Sequence, residues 1–64
     1  MCEAHAYLYH DGQEELIMES VDLIEPEGEG NYRLVNIFNQ QKIIAGRIKS
    51  MRLVEHKVIF EPLP

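Results

Sequence analysis

The sequence predicts an all-β fold, a small closed or nearly closed five-stranded barrel of the SH3-like or Sm-like kind. Three observations predict it. Runs rich in Val, Ile, Leu, Tyr and Phe recur with a period near two, which suits a half-buried strand and not a helix. Turn-forming residues separate those runs at short intervals. With only 64 residues the chain is one domain, spanning 1–64, and closure removes the exposed strand edges that so small a sheet must otherwise protect.

The first strand-like run covers residues 2–10. Asp11-Gly12 follows as a strong hairpin signal, because both residues tolerate the positive φ of a tight turn. The second run, 14–25, changes phase: Leu16 and Met18 share one parity, Val21 and Leu23 the other. Such a slip predicts a bulge or sharp bend, the device by which a strand crosses from one sheet to another. Glu25 to Asn31 reads as a polar loop with one proline and two glycines. The third and fourth runs cover about 32–38 and 41–53, divided by Asn39-Gln40-Gln41. The fifth covers 57–61, after a turn near Glu55-His56.

A domain this small buries only ~60% of its unfolded surface and is marginal alone. Small scaffolds add a disulfide, a metal or a second subunit. The single cysteine cannot form an internal disulfide, so a homodimer is expected and a metal is compatible with the size. The first ten residues carry no Lys or Arg and no apolar segment of signal-peptide kind. The apolar runs are far too short to span a membrane. A cytoplasmic location is expected, where a thiol stays reduced.

Net charge is −5, unevenly spread. Residues 1–30 hold nine Asp and Glu and no Lys or Arg; residues 31–64 hold six Lys and Arg against two Glu. The acidic half would repel a phosphate backbone. The favoured reading is that strands from the two halves lie side by side, with opposite charges paired across them.

Enzymatic constellations are not apparent, and no enzyme activity is expected. Ser20 and Ser50 sit in no nucleophile motif. Glu14 and Glu15 are adjacent, so in a strand they point to opposite faces and cannot share a substrate. Gly28 and Gly30 precede no helix and make no phosphate loop. The acidic loop of Asp22, Glu25, Glu27 and Glu29 lacks EF-hand spacing and reads as a solvated turn.

Cys2 admits two readings. As a small hydrophobe it would begin the first strand half-buried. As a thiolate beside the chain terminus it has nitrogen donors within reach. With Met1 retained, the Met1 amine, the Cys2 amide nitrogen and the Cys2 sulfur close two fused five-membered rings on one ion. With Met1 removed, the Cys2 amine and sulfur close one ring. Planar nitrogen–sulfur sets suit Ni(II) or Cu(II), and tetrahedral S₂N₂ sets suit Zn. Two such termini meeting across a two-fold axis would offer paired thiolates to one ion. Few ligands at an exposed site suit a carrier that releases its ion. His5 is a secondary metal candidate, since strand parity places it on the face opposite Cys2. His10 and His56 lie beside turns and read as surface residues.

An alternative assigns the second half to RNA or protein binding. Tyr7, Tyr9, Tyr32, Phe38 and Phe60 would form a stacking platform, with Arg33, Arg47, Lys49 and Arg52 beside it. The net charge and the absence of a recognised RNA motif favour core and interface packing for the aromatics, so nucleic acid is not the expected partner.

The opening MCEA, the stretch DGQEELIMESVDLIEPEG and the closing IKSMRLVEHKVIFE together resemble the CooT family. These are small dimeric nickel-binding accessory proteins associated with maturation of carbon monoxide dehydrogenase; the wider family has also been labelled predicted RNA-binding. The similarity covers nearly the whole chain. It implies a homodimer of small β barrels that binds Ni(II) through the cysteine after the initiator methionine, here Cys2. His5, His10 and His56 do not carry over. The implied role is a metallochaperone that supports nickel insertion into carbon monoxide dehydrogenase or another nickel enzyme, in contact with that enzyme or its maturation factors. Because Cu(II) outranks Ni(II) at any nitrogen–sulfur site, copper or zinc binding in vitro is compatible with it.

Overall fold

A computed structural model describes residues 3–63. Among these the chain forms six strands in one mixed sheet: β1 (Ala4–His10), β2 (Gln13–Pro26), β3 (Asn31–Asn36), β4 (Gln41–Ala45), β5 (Arg47–Arg52) and β6 (Lys57–Glu61). Their spatial order is β4-β3-β2-β1-β6-β5. The all-β class and one-sheet charge pairing are as the sequence predicts. The five-strand count and the closed barrel are not. Gly46 divides the run 41–53 into two strands, and no ladder among the described residues joins β4 to β5. Those two edge strands are nevertheless consecutive and separated by one residue. The sheet therefore curls until its edges meet at a corner without closing.

Gly46 makes that corner possible. Its φ is +152°, its N–H donates to the Gly30 carbonyl at 2.8 Å, and a Cβ there would lie 2.5 Å from the Glu61 carbonyl oxygen. A side chain would collide with the backbone of the neighbouring strand, so the chain can turn here only without one.

The hairpin between β1 and β2 turns at Asp11 and Gly12, with φ of +50° and +76°, which is the two-positive-φ turn that matches the twist of paired strands. β2 bends where the phase slips. The register with β1 shifts twice between Tyr7↔Leu16 and Ala4↔Val21, and Ser20 sits in that irregular stretch with φ +56°. The bend keeps β2 within one sheet; it does not carry the strand into a second. β1 and β6 pair in parallel, from His5↔Lys57 to Leu8↔Phe60, which sets the first and last strands side by side in the interior of the sheet.

The core cluster is Ala6, Val21, Leu34, Val58 and Phe60, all buried, with Ala4, Leu8, Ile17 and Ile48 packed against them. Tyr32 tilts against Phe60 with ring centroids 5.6 Å apart. β6 is buried at three successive residues, Val58, Ile59 and Phe60, so side chains on both of its faces are covered. Charges of the two halves meet across strands: Lys57 with Glu14 at 2.8 Å, and Arg33 with Glu25 and Glu27.

Candidate functional site

Cys2 and Met1, the main metal candidates, lie outside the described residues. What the structure positions is the root of their segment. Ala4 opens β1 opposite Val21, and Val21 lies opposite Asn36 at the end of β3. On the other side His5 lies opposite Lys57, and Lys57 opposite Arg52 at the end of β5. The start of β1, the β3–β4 loop (37–40) and the β5–β6 loop (53–56) therefore share one end of the sheet.

That end is apolar at its surface. Phe38, Leu53 and Val54 are 71%, 78% and 94% exposed, and Ile37 and Leu23 are also exposed. A groove of about 370 Å³ runs between Leu53 and Leu23 with Ala4, Val21, Ile24 and Val58 along it. Clustered exposure of large apolar groups on a small domain marks a contact surface. Asn36 holds one of the two loops in place. It is 5% exposed; its Oδ1 accepts the N–H groups of Phe38 and Gln40 at 3.0 and 2.9 Å, and its Nδ2 donates to Gln40 Oε1 at 2.7 Å. Sequence reasoning missed both features. Ile37, Phe38 and Leu53 read as strand ends because their type is apolar, and Asn36 read as part of a strand run. The Asn36-to-Gln40 spacing was the available signal of a side chain folding back onto its own loop.

Beside Glu3 a more polar open cleft of about 510 Å³ is lined by Glu3, His5, Glu55 and His56. Among the described residues no group of three or more His, Cys, Asp and Glu side chains is arranged to hold a metal ion. His5 is engaged: its Nδ1 accepts the Ser20 N–H at 3.2 Å and its own N–H donates to the His56 carbonyl at 2.8 Å. His56 has φ +56° and closes the β5–β6 turn. His10 stands at the far end of β1, six residues or ~20 Å from Ala4 at strand rise. Its ring lies 2.9 Å from Glu15 and 3.5 Å from Asp11, and those two carboxylates, Glu15 foremost, raise its pKa above the ordinary imidazole value.

Three of the four basic residues of the alternative reading are paired with carboxylates. Arg33 meets Glu25 and Glu27, Arg47 meets Glu61 at 2.9 Å and Arg52 meets Glu55 at 3.6 Å. Lys49 lies over the Tyr9 ring at 4.8 Å, as Lys57 lies over Tyr7 at 4.6 Å. Tyr32 and Phe60 are directed into the core and are not available for stacking. Among the described residues no helix is long and apolar enough to cross a membrane.

A family model described as CO dehydrogenase accessory protein CooT matches residues 1–61. A solved structure described as a "putative CooT from Carboxydothermus hydrogenoformans" superposes with a TM-score of 0.89 at 41% sequence identity, covering 98% of this chain and 100% of that one. No curated protein matches the chain.

Proposed function

Because the chain belongs to the CooT family of CO dehydrogenase accessory proteins, we propose that it is a non-enzymatic carrier that takes up Ni(II) through Cys2 and delivers it to a nickel enzyme such as carbon monoxide dehydrogenase. One observation carries the reading: the family match begins at residue 1, and so takes in the lone cysteine with its neighbouring nitrogen donors. The described side chains offer no cage of their own, which is consistent with donors supplied by the terminus. The thiol and terminal amine must lose protons to bind, so affinity rises with pH.

The carrier acts as a homodimer in this reading. The support is the apolar end of the sheet, where the loops that carry the exposed Phe38, Leu53 and Val54 share one end with the start of β1. Covering that end with a second copy buries those side chains and brings two Cys2 thiolates toward one ion. Light scattering of Leu53→Glu/Val54→Glu tests the face: a monomer is expected, and an unchanged dimer would place the interface elsewhere. Calorimetry tests the metal. Cys2→Ser is expected to abolish Ni(II) uptake with an unaltered circular dichroism spectrum, and unchanged stoichiometry and affinity would reject Cys2 as the ligand.

A further inference from the structure

The groove at the apolar end has two unlike lips. Its lining crosses four neighbouring strands, in the order β2, β1, β6 and β5. Asp22 and Leu23 of β2 form one lip; Arg52, the last residue of β5, and Leu53 form the other; Ala4 and Val58 lie between them. Asp22 is exposed and pairs with no cation among the described residues. Arg52 reaches Glu55 at 3.6 Å, with both side chains about half exposed. Glu3 lies toward the β2 side and Lys57 toward the β5 side, its ammonium already held by Glu14. One lip is thus acidic and the other basic. Each also carries an apolar loop. Beside β2 stands the β3–β4 loop, and each of its amides is bonded within the fold: Ile37 N–H to the Ser20 carbonyl, Phe38 and Gln40 N–H to Asn36 Oδ1, Asn39 N–H to the Asn36 carbonyl. Phe38 is therefore displayed on a fixed backbone. Beside β5 stands the β5–β6 loop with the exposed Leu53 and Val54.

We propose that a second copy of this chain covers the groove with its lips exchanged, so that Phe38 of each copy packs on Leu53 and Val54 of the other and Asp22 of each copy faces Arg52 of the other; this rests on the reading that the apolar end is the dimer face. A two-fold axis along the groove turns each lip onto the opposite lip of the other copy, and every contact occurs twice. Acid then meets base, and an aromatic knob meets an aliphatic loop. An axis across the groove would set like lips together, Asp22 against Asp22 and Arg52 against Arg52, which repulsion disfavours. A second copy is the favoured occupant because the surface carries its own complement. A loop already ordered in the free chain loses little freedom on docking, and a rigid exposed aromatic is the residue type that anchors such contacts.

The test measures the dimer dissociation constant by sedimentation for the unaltered chain, Asp22→Lys, Arg52→Glu, the two reversals combined, and Phe38→Ser, with circular dichroism to check each fold. Either reversal alone is expected to weaken the dimer about tenfold through two symmetric pairs, and the combined variant to recover most of that loss. Phe38→Ser is expected to weaken it about 30-fold or more. Should a reversal unfold the chain, Asp22→Asn and Arg52→Gln take its place: each is expected to weaken the dimer at least about twofold at low salt and to reduce its salt dependence. Single reversals that the combination fails to rescue, neutral variants with unchanged affinity and salt dependence, or a dimer indifferent to Phe38→Ser would each overturn the arrangement. An unaltered chain that stays monomeric, or a dimer indifferent to Leu53→Glu/Val54→Glu, overturns the dimer face and this arrangement together; a dimer broken by that pair but indifferent to Asp22, Arg52 and Phe38 overturns this arrangement alone.

Discussion

Replacing Gly46 by alanine is the sharpest test of how the sheet turns its corner. The added Cβ would meet the Glu61 carbonyl oxygen at 2.5 Å and its carbon at 3.3 Å, and both are backbone atoms of β6. A flexible side chain could swing away; a strand next to the buried Phe60 and Ile59 cannot. The φ of +152° adds conformational strain of about 1–3 kcal/mol for a residue with a Cβ. Shifting β6 to relieve the contact also disturbs core packing, so the total is about 3 kcal/mol or more. A domain of this length holds roughly 3–10 kcal/mol of stability in all, at about 0.05–0.15 kcal/mol per residue. Gly46→Ala is thus expected to remove a large share of it and lower Tm by about 12 °C or more, at about 4–8 °C per kcal/mol. Gly28→Ala is the control: φ is +70° and nothing lies within 4 Å of its Cβ, so the backbone strain stands alone at about 1–2 kcal/mol. Urea unfolding at one protein concentration, followed by circular dichroism, compares the two. Gly46→Ala no more damaging than Gly28→Ala would refute the close approach and with it the curled corner.

Phe60→Ala removes a fully buried ring tilted against Tyr32 and is expected to cost about 3–5 kcal/mol, read as a lowered urea midpoint by circular dichroism. His10 has its pKa raised by Glu15 and Asp11, so its contribution to stability is fully present below the ordinary imidazole value and is lost as pH rises through the raised one. Glu15→Gln should flatten that part of the stability–pH profile; an unchanged profile contradicts the pairing. Glu14 has its pKa lowered, chiefly by the hydrogen bond from Lys57, so its contribution is present above the ordinary carboxylate value and fades as pH falls through the lowered one. Lys57→Met should remove that acid-side loss, read by urea midpoints across the acid range.

Local chemistry was legible in the sequence and long-range pairing was not. Asp11-Gly12 announces its turn through two residues that accept positive φ, and the parity slip between Met18 and Val21 announces the bend at Ser20. The final strand, Lys57–Glu61, stands where its apolar run and preceding turn place it. Gly46 misleads because one glycine in a run resembling a single strand carries no sign of what will approach it; the Glu61 carbonyl comes from 15 residues away. The parallel partnership of β1 and β6 and the open edges likewise depend on contacts that periodicity does not encode. Chelate chemistry singles out Cys2 as a candidate from the sequence, and the family match extends over it, but it lies outside the described residues. The apolar loops could not, because Phe38 and Leu53 look like strand residues until topology sets them at the same end as the terminus.

Anaerobic titration of the unaltered chain with Ni(II), followed by absorption and by intact mass of the complex, meets the central claim directly. A thiolate-to-nickel charge-transfer band that saturates at a fixed metal-to-chain ratio is expected, together with a nickel-bearing dimer in the mass spectrum. Nickel held with no thiolate band, or with a band that persists in Cys2→Ser, would contradict it.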